Sequence, residues 1–211
     1  MQKIILTISV VAGILAINGC KKEPLNNLDQ GENRIYITHH NDSINFATYN
    51  TFSISDSVAV ISDNQLQEKA TTEVDAAYIA AVKQQMQERG YTLVSRDQNP
   101  DIGININRIY NTYTGVFSYN DYLGDYYGYW DPYYWGYPGY GYSYPTYYGF
   151  YEVEEGALSV DMLDLKDAAA TNQIKVVWNG LIRGAGVFNA STAPAQAKAL
   201  FDQSSYLRSN Q

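Results

Sequence analysis

The sequence predicts an α+β domain: a mainly antiparallel sheet with two helices packed on one face, plus a low-complexity Tyr/Gly-rich insertion. Three observations predict it. Apolar residues alternate at Ile102, Ile104 and Ile106, at Leu158, Val160 and Met162, and at Ile174, Val176 and Trp178, which is the period of a strand. Val74, Ala77, Tyr78, Ala81, Val82 and Gln85 recur at helical spacing instead, as do Ala197, Leu200, Phe201 and Ser204. Residues 119–151 follow neither period.

Taken in order, Ile35 and Ile37 share one face of a first strand, and Phe46, Tyr49, Thr51 and Phe52 stand in β-prone company, giving one or two strands. Thr72 and Asp75 have the spacing of a capping box at a helix start, and Gly90 after Arg89 is a natural stop. A short extended piece from Tyr91 to Val94 and a turn through Asp97 and Pro100 lead into a half-buried strand from Ile102 toward Tyr113. The strands that point Leu158, Val160, Met162 and Ile174, Val176, Trp178 inward are joined as a hairpin across residues 164–172. Thr192 as N-cap, with Pro194 in the first turn, opens the last helix.

Ahead of this domain, Lys3 precedes an apolar run over residues 4–17 and then Asn18, Gly19 and Cys20. The run suits a signal-peptide core and is shorter than the roughly 20 residues a membrane-spanning helix needs. Ile17-Asn18-Gly19-Cys20 resembles a lipobox, departing from it at Asn18, where Ala or Ser is usual. Cys20 is the only cysteine, so no internal disulfide forms, and lipid attachment would consume an otherwise exposed thiol. The expected organisation is a signal peptide over 1–19, a lipidated cysteine and tether over 20–33, and a single domain over 34–211 interrupted by the insertion 119–151. Two or three acyl chains, palmitate among them, hold such a protein on a membrane, because each buried methylene contributes about 0.8 kcal/mol. The expected place is the outer membrane, facing periplasm or cell surface, since no Asp follows the cysteine to signal inner-membrane retention.

Charge excludes one class of partner. The chain carries 14 basic and 22 acidic residues, and without a basic cluster it is unsuited to nucleic acid. The insertion stands apart in composition: 14 of the 21 tyrosines and 3 of the 6 prolines fall within 119–151, with only Asp121, Asp125 and Asp131 as charges. Tyrosine rings offer an apolar face and a polar tip, so Tyr126, Tyr127, Trp130, Tyr133, Tyr134 and Trp135 are candidate contact aromatics for a glycan or an envelope protein. A loosely selected, disordered tract is the bland alternative.

Catalytic and metal chemistry find little support. The two histidines, His39 and His40, are adjacent and point to opposite faces of a strand, so no metal site is expected, and no cofactor. Asp97, Asn99 and Asp101 imitate the start of a calcium loop, but Pro100 sits inside it, Ile102 replaces the required Gly and Arg108 replaces the closing Glu. Glu152, Glu154 and Glu155 border the insertion and Asp161 and Asp164 are expected on an exposed face; they leave open an alternative, an envelope hydrolase acting on glycans through acidic residues, but no spacing singles out an acid and its partner. The expected activity is non-enzymatic binding or assembly. Asp42-Ser43-Ile44 and Asp56-Ser57-Val58 also resemble the short O-glycosylation acceptor pattern of Bacteroidetes.

Five blocks in order carry a family resemblance. These are Asn45-Phe46-Ala47-Thr48-Tyr49-Asn50-Thr51-Phe52, Glu88-Arg89-Gly90-Tyr91, Asn99-Pro100-Asp101-Ile102, Gly156-Ala157-Leu158-Ser159-Val160-Asp161 and Val177-Trp178-Asn179-Gly180. The chain from about Ile35 to Leu207 resembles domain-of-unknown-function family 4136, exported and usually lipidated proteins common in Bacteroidetes and related Gram-negative bacteria. It departs from the family at Asn179, where a basic residue is usual, and in the tyrosine-rich insertion. The resemblance implies an α+β fold and an envelope location; it implies no known activity and no catalytic residues.

Overall fold

The computed structural model describes residues 34–62, 65–110, 113–118, 132–143, 148–153 and 156–210. The signal segment, Cys20, the tether and the candidate aromatics Tyr126, Tyr127 and Trp130 lie outside the described residues.

The described strands are β1 (Ile35–His40), β2 (Thr51–Ile54), β3 (Val58–Ser62), β4 (Gln65–Ala70), β5 (Thr92–Leu93), β6 (Ile102–Tyr110), β7 (Tyr113–Ser118), β8 (Gly141–Ser143), β9 (Tyr148–Val153), β10 (Ala157–Asp164) and β11 (Gln173–Arg183). The described helices are α1 (Glu73–Glu88), α2 (Ala168–Thr171) and α3 (Ala193–Asp202). Nine of these strands form one mixed sheet, ordered β1-β11-β10-β6-β2-β5, with β3 beside β6, β4 beside β3 and β8 beside β11. The long pairs β1·β11, β10·β11 and β10·β6 are antiparallel. β2 and β3 run parallel to β6, so the sheet is mostly, not wholly, antiparallel. β7 and β9 form a separate antiparallel ribbon that bounds the tyrosine-rich tract.

β2 and β3 follow the same side of β6 as one broken strand. Ile54 lies opposite Ile104 and Ala59 opposite Asn107, so residues 55–58 face only residues 105 and 106. The surplus pushes Asp56 out of the ladder to an exposed position, while Ser55 is buried with its Oγ donating to the Ser57 carbonyl at 2.9 Å. The β3–β4 hairpin was not foreseen. Val58-Ala59-Val60-Ile61 is an unbroken apolar run, the mark of a strand covered on both faces, and it lacks the alternation that exposes a half-buried one.

The helix-bearing face follows the alternation. Ile102, Ile104 and Ile106 of β6, Leu158, Val160 and Met162 of β10, and Trp178 and Ile182 of β11 share one core with Tyr78, Val82 and Met86 of α1 and Leu200 and Phe201 of α3. The capping box at Thr72 and Asp75 is present, and Gly90, at φ 89°, ends the helix turn. Asp75 does a second job: its Oδ1 lies 2.9 Å from Arg108 Nε, so the start of α1 is tied to β6. Gly180 faces α3, where an added Cβ would stand 2.5 Å from the Trp178 ring and 2.7 Å from Leu200 Cδ2. Only glycine lets helix and strand approach this closely.

Two expectations are corrected here. Ile174, Val176 and Trp178 do not share a face: Met162 pairs with Trp178 but Leu163 with Val176, so a bulge at Val177 flips the pattern. Trp178 joins the helix-side core, while Ile174 and Val176 join a second core on the other face. The strand from Ile102 is likewise not half-buried, because Ile102 through Asn107 are all buried. Phe46–Thr48 forms a 3-10 helix, so the stretch from Phe46 to Phe52 contributes a single strand, β2.

The Asn99-Pro100-Asp101 block ties two strand starts together. Asn99 adopts a left-handed conformation at φ 52°, and Asp101 Oδ2 then accepts from the Asn50 and Thr51 N–H groups at 2.7 and 3.2 Å. Thr51 Oγ1 accepts from the Asp101 N–H in return.

Trp178 is fully enclosed, packs on Phe201 and donates its indole N–H to Ser204 Oγ at 2.9 Å. Trp178→Ala is expected to cost about 3–5 kcal/mol through lost burial and a cavity, measured by urea unfolding. A loss under about 1 kcal/mol would contradict this packing.

Candidate functional site

The face of the sheet away from α1 and α3 carries polar side chains where a strand buried on both sides would ordinarily be apolar. Cross-strand register places Asn105, Asp161, Asn179 and His39 in one row over β6, β10, β11 and β1, with Asn107 and Ser159 in the next. Asn105, Asn107, Ser159, Asp161 and Asn179 are all buried, and His39 is half-buried. The Asn107 amide donates to Ser159 Oγ and to Asp161 Oδ2, both at 2.9 Å, and the Asn179 amide donates to Asp161 Oδ1.

Asp161 is therefore a buried carboxylate held by amides. Burial pushes its pKa up to about 6, against which the bonds from Asn179 and Asn107 pull it down. No cation offsets the burial among the described residues. Asn179 Oδ1 has no hydrogen-bond partner among them either, so an amide flip would let it accept the proton of a neutral Asp161. Asp161 and Asp164 were expected on an exposed face; both are buried, and burial also raises the Asp164 pKa.

Part of the tyrosine-rich tract closes this face. Pro132–Trp135 forms a 3-10 turn, Gly136 at φ 86° reverses the chain, and β8 then pairs parallel with β11. Trp135 is 5% exposed, and its indole N–H donates to Asn105 Oδ1 at 3.2 Å. Gly103 makes room: a Cβ there would lie 2.9 Å from Leu165 Cδ1 and 3.1 Å from the Trp135 ring. Trp135 and Tyr142 join Ile61, Ile109, Leu163, Leu165, Ile174 and Val176 in the second core. Trp135 is thus buried in this core, and residues 132–143, within the stretch expected to be an insertion, pack on the sheet through Trp135, Tyr142 and the pairing of β8 with β11.

Its neighbours form a surface. Tyr133 is 71% exposed. Tyr134 stands edge-on to Trp135, with ring centroids 5.0 Å apart, and its hydroxyl lies 3.2 Å from the Asp56 N–H and 3.3 Å from Asp56 Oδ1. The break between β2 and β3 is what brings Asp56 to this hydroxyl. The Arg96 guanidinium lies 4.4 Å from the Tyr134 ring centroid and Lys69 Nζ 5.7 Å from it. Burial raises the Tyr134 pKa, so the ring stays neutral. Lys69, Arg96, Asp97, Tyr133 and Tyr134 line a groove of about 660 Å³, and Arg96, Asp97 and Tyr134 also border a hollow of about 750 Å³ that reaches Ser53, Asp56 and Lys83.

Other candidates are scattered. His40 stacks on Tyr206 at 4.1 Å and lies 3.2 Å from Asp42, on the face opposite His39. Ser43 is exposed in the turn after β1, and Ser57 is half-buried at the β2–β3 break. Sequence alone did not single out Lys69 or Arg96, and named Asp56 only within a glycosylation-like tripeptide, because strand β4, the β5–β6 connection and the β2–β3 break meet only through the sheet order.

The architecture defines a class: an α+β domain with a helix pair on one face of a mixed sheet and an aromatic segment sealing part of the other. The chain belongs to the DUF4136 family, described as a domain of unknown function, whose model matches residues 37–204. It is similar to a DUF4136 family protein from Bacteroides thetaiotaomicron, at 28% identity and a TM-score of 0.69, covering 83% of this chain and 98% of that one. Weaker likenesses are to a PelC dodecamer from Paraburkholderia phytofirmans (9% identity, TM-score 0.40, 84% of this chain and 99% of that one) and to a PDZ domain protein from Parabacteroides distasonis (15%, 0.42, 82% and 37%). No curated protein matches.

Two outcomes test the second face. Trp135→Ala is expected to cost about 3–5 kcal/mol in urea unfolding, whereas a tract that merely looped out would lose almost nothing. Asp161 titrates at about 6 when folded, above its unfolded value, so the folded state holds the proton more tightly. The stability it contributes is complete below about pH 4 and is lost as pH rises through about 6, by up to roughly 3 kcal/mol. Unfolding curves at pH 4 to 8 should show this fall in the wild type and a smaller one in Asp161→Asn.

Proposed function

We propose that this chain is an outer-membrane lipoprotein of the cell envelope, anchored through acylated Cys20, and that it acts as a non-enzymatic binding module. Its contact surface is the groove at Tyr133 and Tyr134. The anchoring rests on the lipobox-like Ile17-Asn18-Gly19-Cys20 and on the polar tether that follows. A tether of that length reaches about 45 Å when extended, enough to hold the domain clear of the bilayer.

The observation that carries the binding reading is the exposure of Tyr133 beside a tyrosine fixed by Asp56 and flanked by two cations. A large aromatic left in solvent on a rigid base marks a contact site, because it adds contact area at little conformational cost. A glycan hydrolase needs two accessible carboxylates. Asp161 and Asp164 are buried and engaged by Asn107, Asn179 and the Asp167 N–H, which favours binding over hydrolysis.

Cys20→Ser should remove the acyl mass and move the protein out of the membrane fraction; an unlipidated wild-type protein with a free thiol overturns the anchoring. A photo-crosslinking amino acid at position 133, irradiated in intact cells, should yield a discrete adduct. Its absence at 133, with adducts only at control positions on α1, overturns the groove as the contact surface.

A further inference from the structure

The groove differs in charge from the rest of the molecule. The chain has a net charge of −8, yet Lys69, Lys83 and Arg96 border the groove and its adjoining hollow against two carboxylates, Asp56 and Asp97. Both carboxylates are engaged locally. Asp56 Oδ1 lies against the Tyr134 hydroxyl and accepts from Ser57 Oγ, and Asp97 accepts from Ser95 Oγ, the bond that does most to lower its pKa.

Arg96 is the group best placed to receive a ligand. Its guanidinium lies over a ring whose hydroxyl is pinned at both ends of Asp56, so its bed is fixed before anything binds. Among the described residues it makes no ion pair within 4.0 Å, and its planar fork keeps donors for a carboxylate. Tyr133 stands on the wall of the same groove with most of its surface in solvent. A flat, exposed aromatic beside a positioned guanidinium suits a molecule with an apolar C–H face and an acidic substituent on one rigid ring.

On the reading of the groove as a binding surface, we propose that its ligand is an acidic glycan, with a sugar ring against Tyr133 and a sugar carboxylate on Arg96. Lys69 and Lys83 extend the positive side of the trough to further acidic units along the chain. Two open hollows on either side of the shared Arg96, Asp97 and Tyr134 suit successive units of an extended polymer better than an enclosed small molecule. The chain's overall negative charge does not forbid this, because at physiological salt the screening length is about 8 Å and the nearest cations dominate.

The test uses the full-length protein in detergent micelles, with polygalacturonate, its fully methyl-esterified form and polyglutamate as probes in isothermal titration. Polygalacturonate should bind at least about tenfold more tightly than either control, and less tightly as salt is raised. Arg96→Ala should lose about tenfold in affinity, Arg96→Lys should recover only part of it, and Tyr133→Ala should weaken binding with the thermal transition unchanged. Equal binding of the methyl ester overturns the role of the carboxylate, and equal binding of polyglutamate overturns the sugar. If no polymer binds while the crosslinked adduct at position 133 persists, the acidic glycan falls and the binding surface stands. If the adduct is absent as well, both readings fall.

Discussion

A strand covered on both faces has no solvent to satisfy its polar side chains, so each of them must find a partner inside the protein. β6 is such a strand, and both layers of the molecule are organised around it. Toward the helices it presents Ile102, Ile104 and Ile106 and then Arg108, which meets the buried Asp75 of the α1 capping box. Toward the other side it presents Gly103, Asn105, Asn107 and Ile109. Asn105 accepts from Trp135, Asn107 donates to Ser159 and Asp161, and Gly103 leaves the space that the Trp135 ring fills. The same alternation thus specifies a dry core on one side and a hydrogen-bonded one on the other.

The tyrosine-rich tract follows from that second face. Covering it takes an aromatic body with one donor, and Trp135 supplies both the area and the N–H. Once Trp135 is seated, its neighbours cannot also be buried: the 3-10 turn directs Tyr134 to the groove wall and Tyr133 into solvent. Anchoring and display are therefore two consequences of one turn. The break between β2 and β3 completes the arrangement, since two surplus residues put Asp56 where the Tyr134 hydroxyl needs it.

Much of this was legible in the sequence, and the failures have physical causes. Helices α1 and α3 followed from periodicity and caps, and β1, β6 and β10 from alternation. The inward face of β11 was misassigned because a bulge at Val177 reverses the alternation, and nothing local in Lys175-Val176-Val177-Trp178 announces it. The β3–β4 hairpin was missed because Val58-Ala59-Val60-Ile61 has no period to detect. Tyr133 and Tyr134 could be named as candidates from composition, but Trp135 could not be told from them, since adjacent aromatics in a Tyr-Gly-Pro tract look alike until one of them finds a pocket. Lys69 and Arg96 carried no signal, being ordinary surface cations until β4 and the β5–β6 connection are set side by side.

The sequence by itself determined the elements that depend on near neighbours: the capping box at Thr72 and Asp75, the strand periods, the turn through Asp97 to Pro100 and the family those blocks mark. The tertiary structure alone decided which aromatic is core and which is surface, and that Asp161 sits among amides with no cation beside it among the described residues. Those outcomes depend on residues far apart in the chain meeting across the sheet, and on the desolvation that follows, which no local pattern encodes.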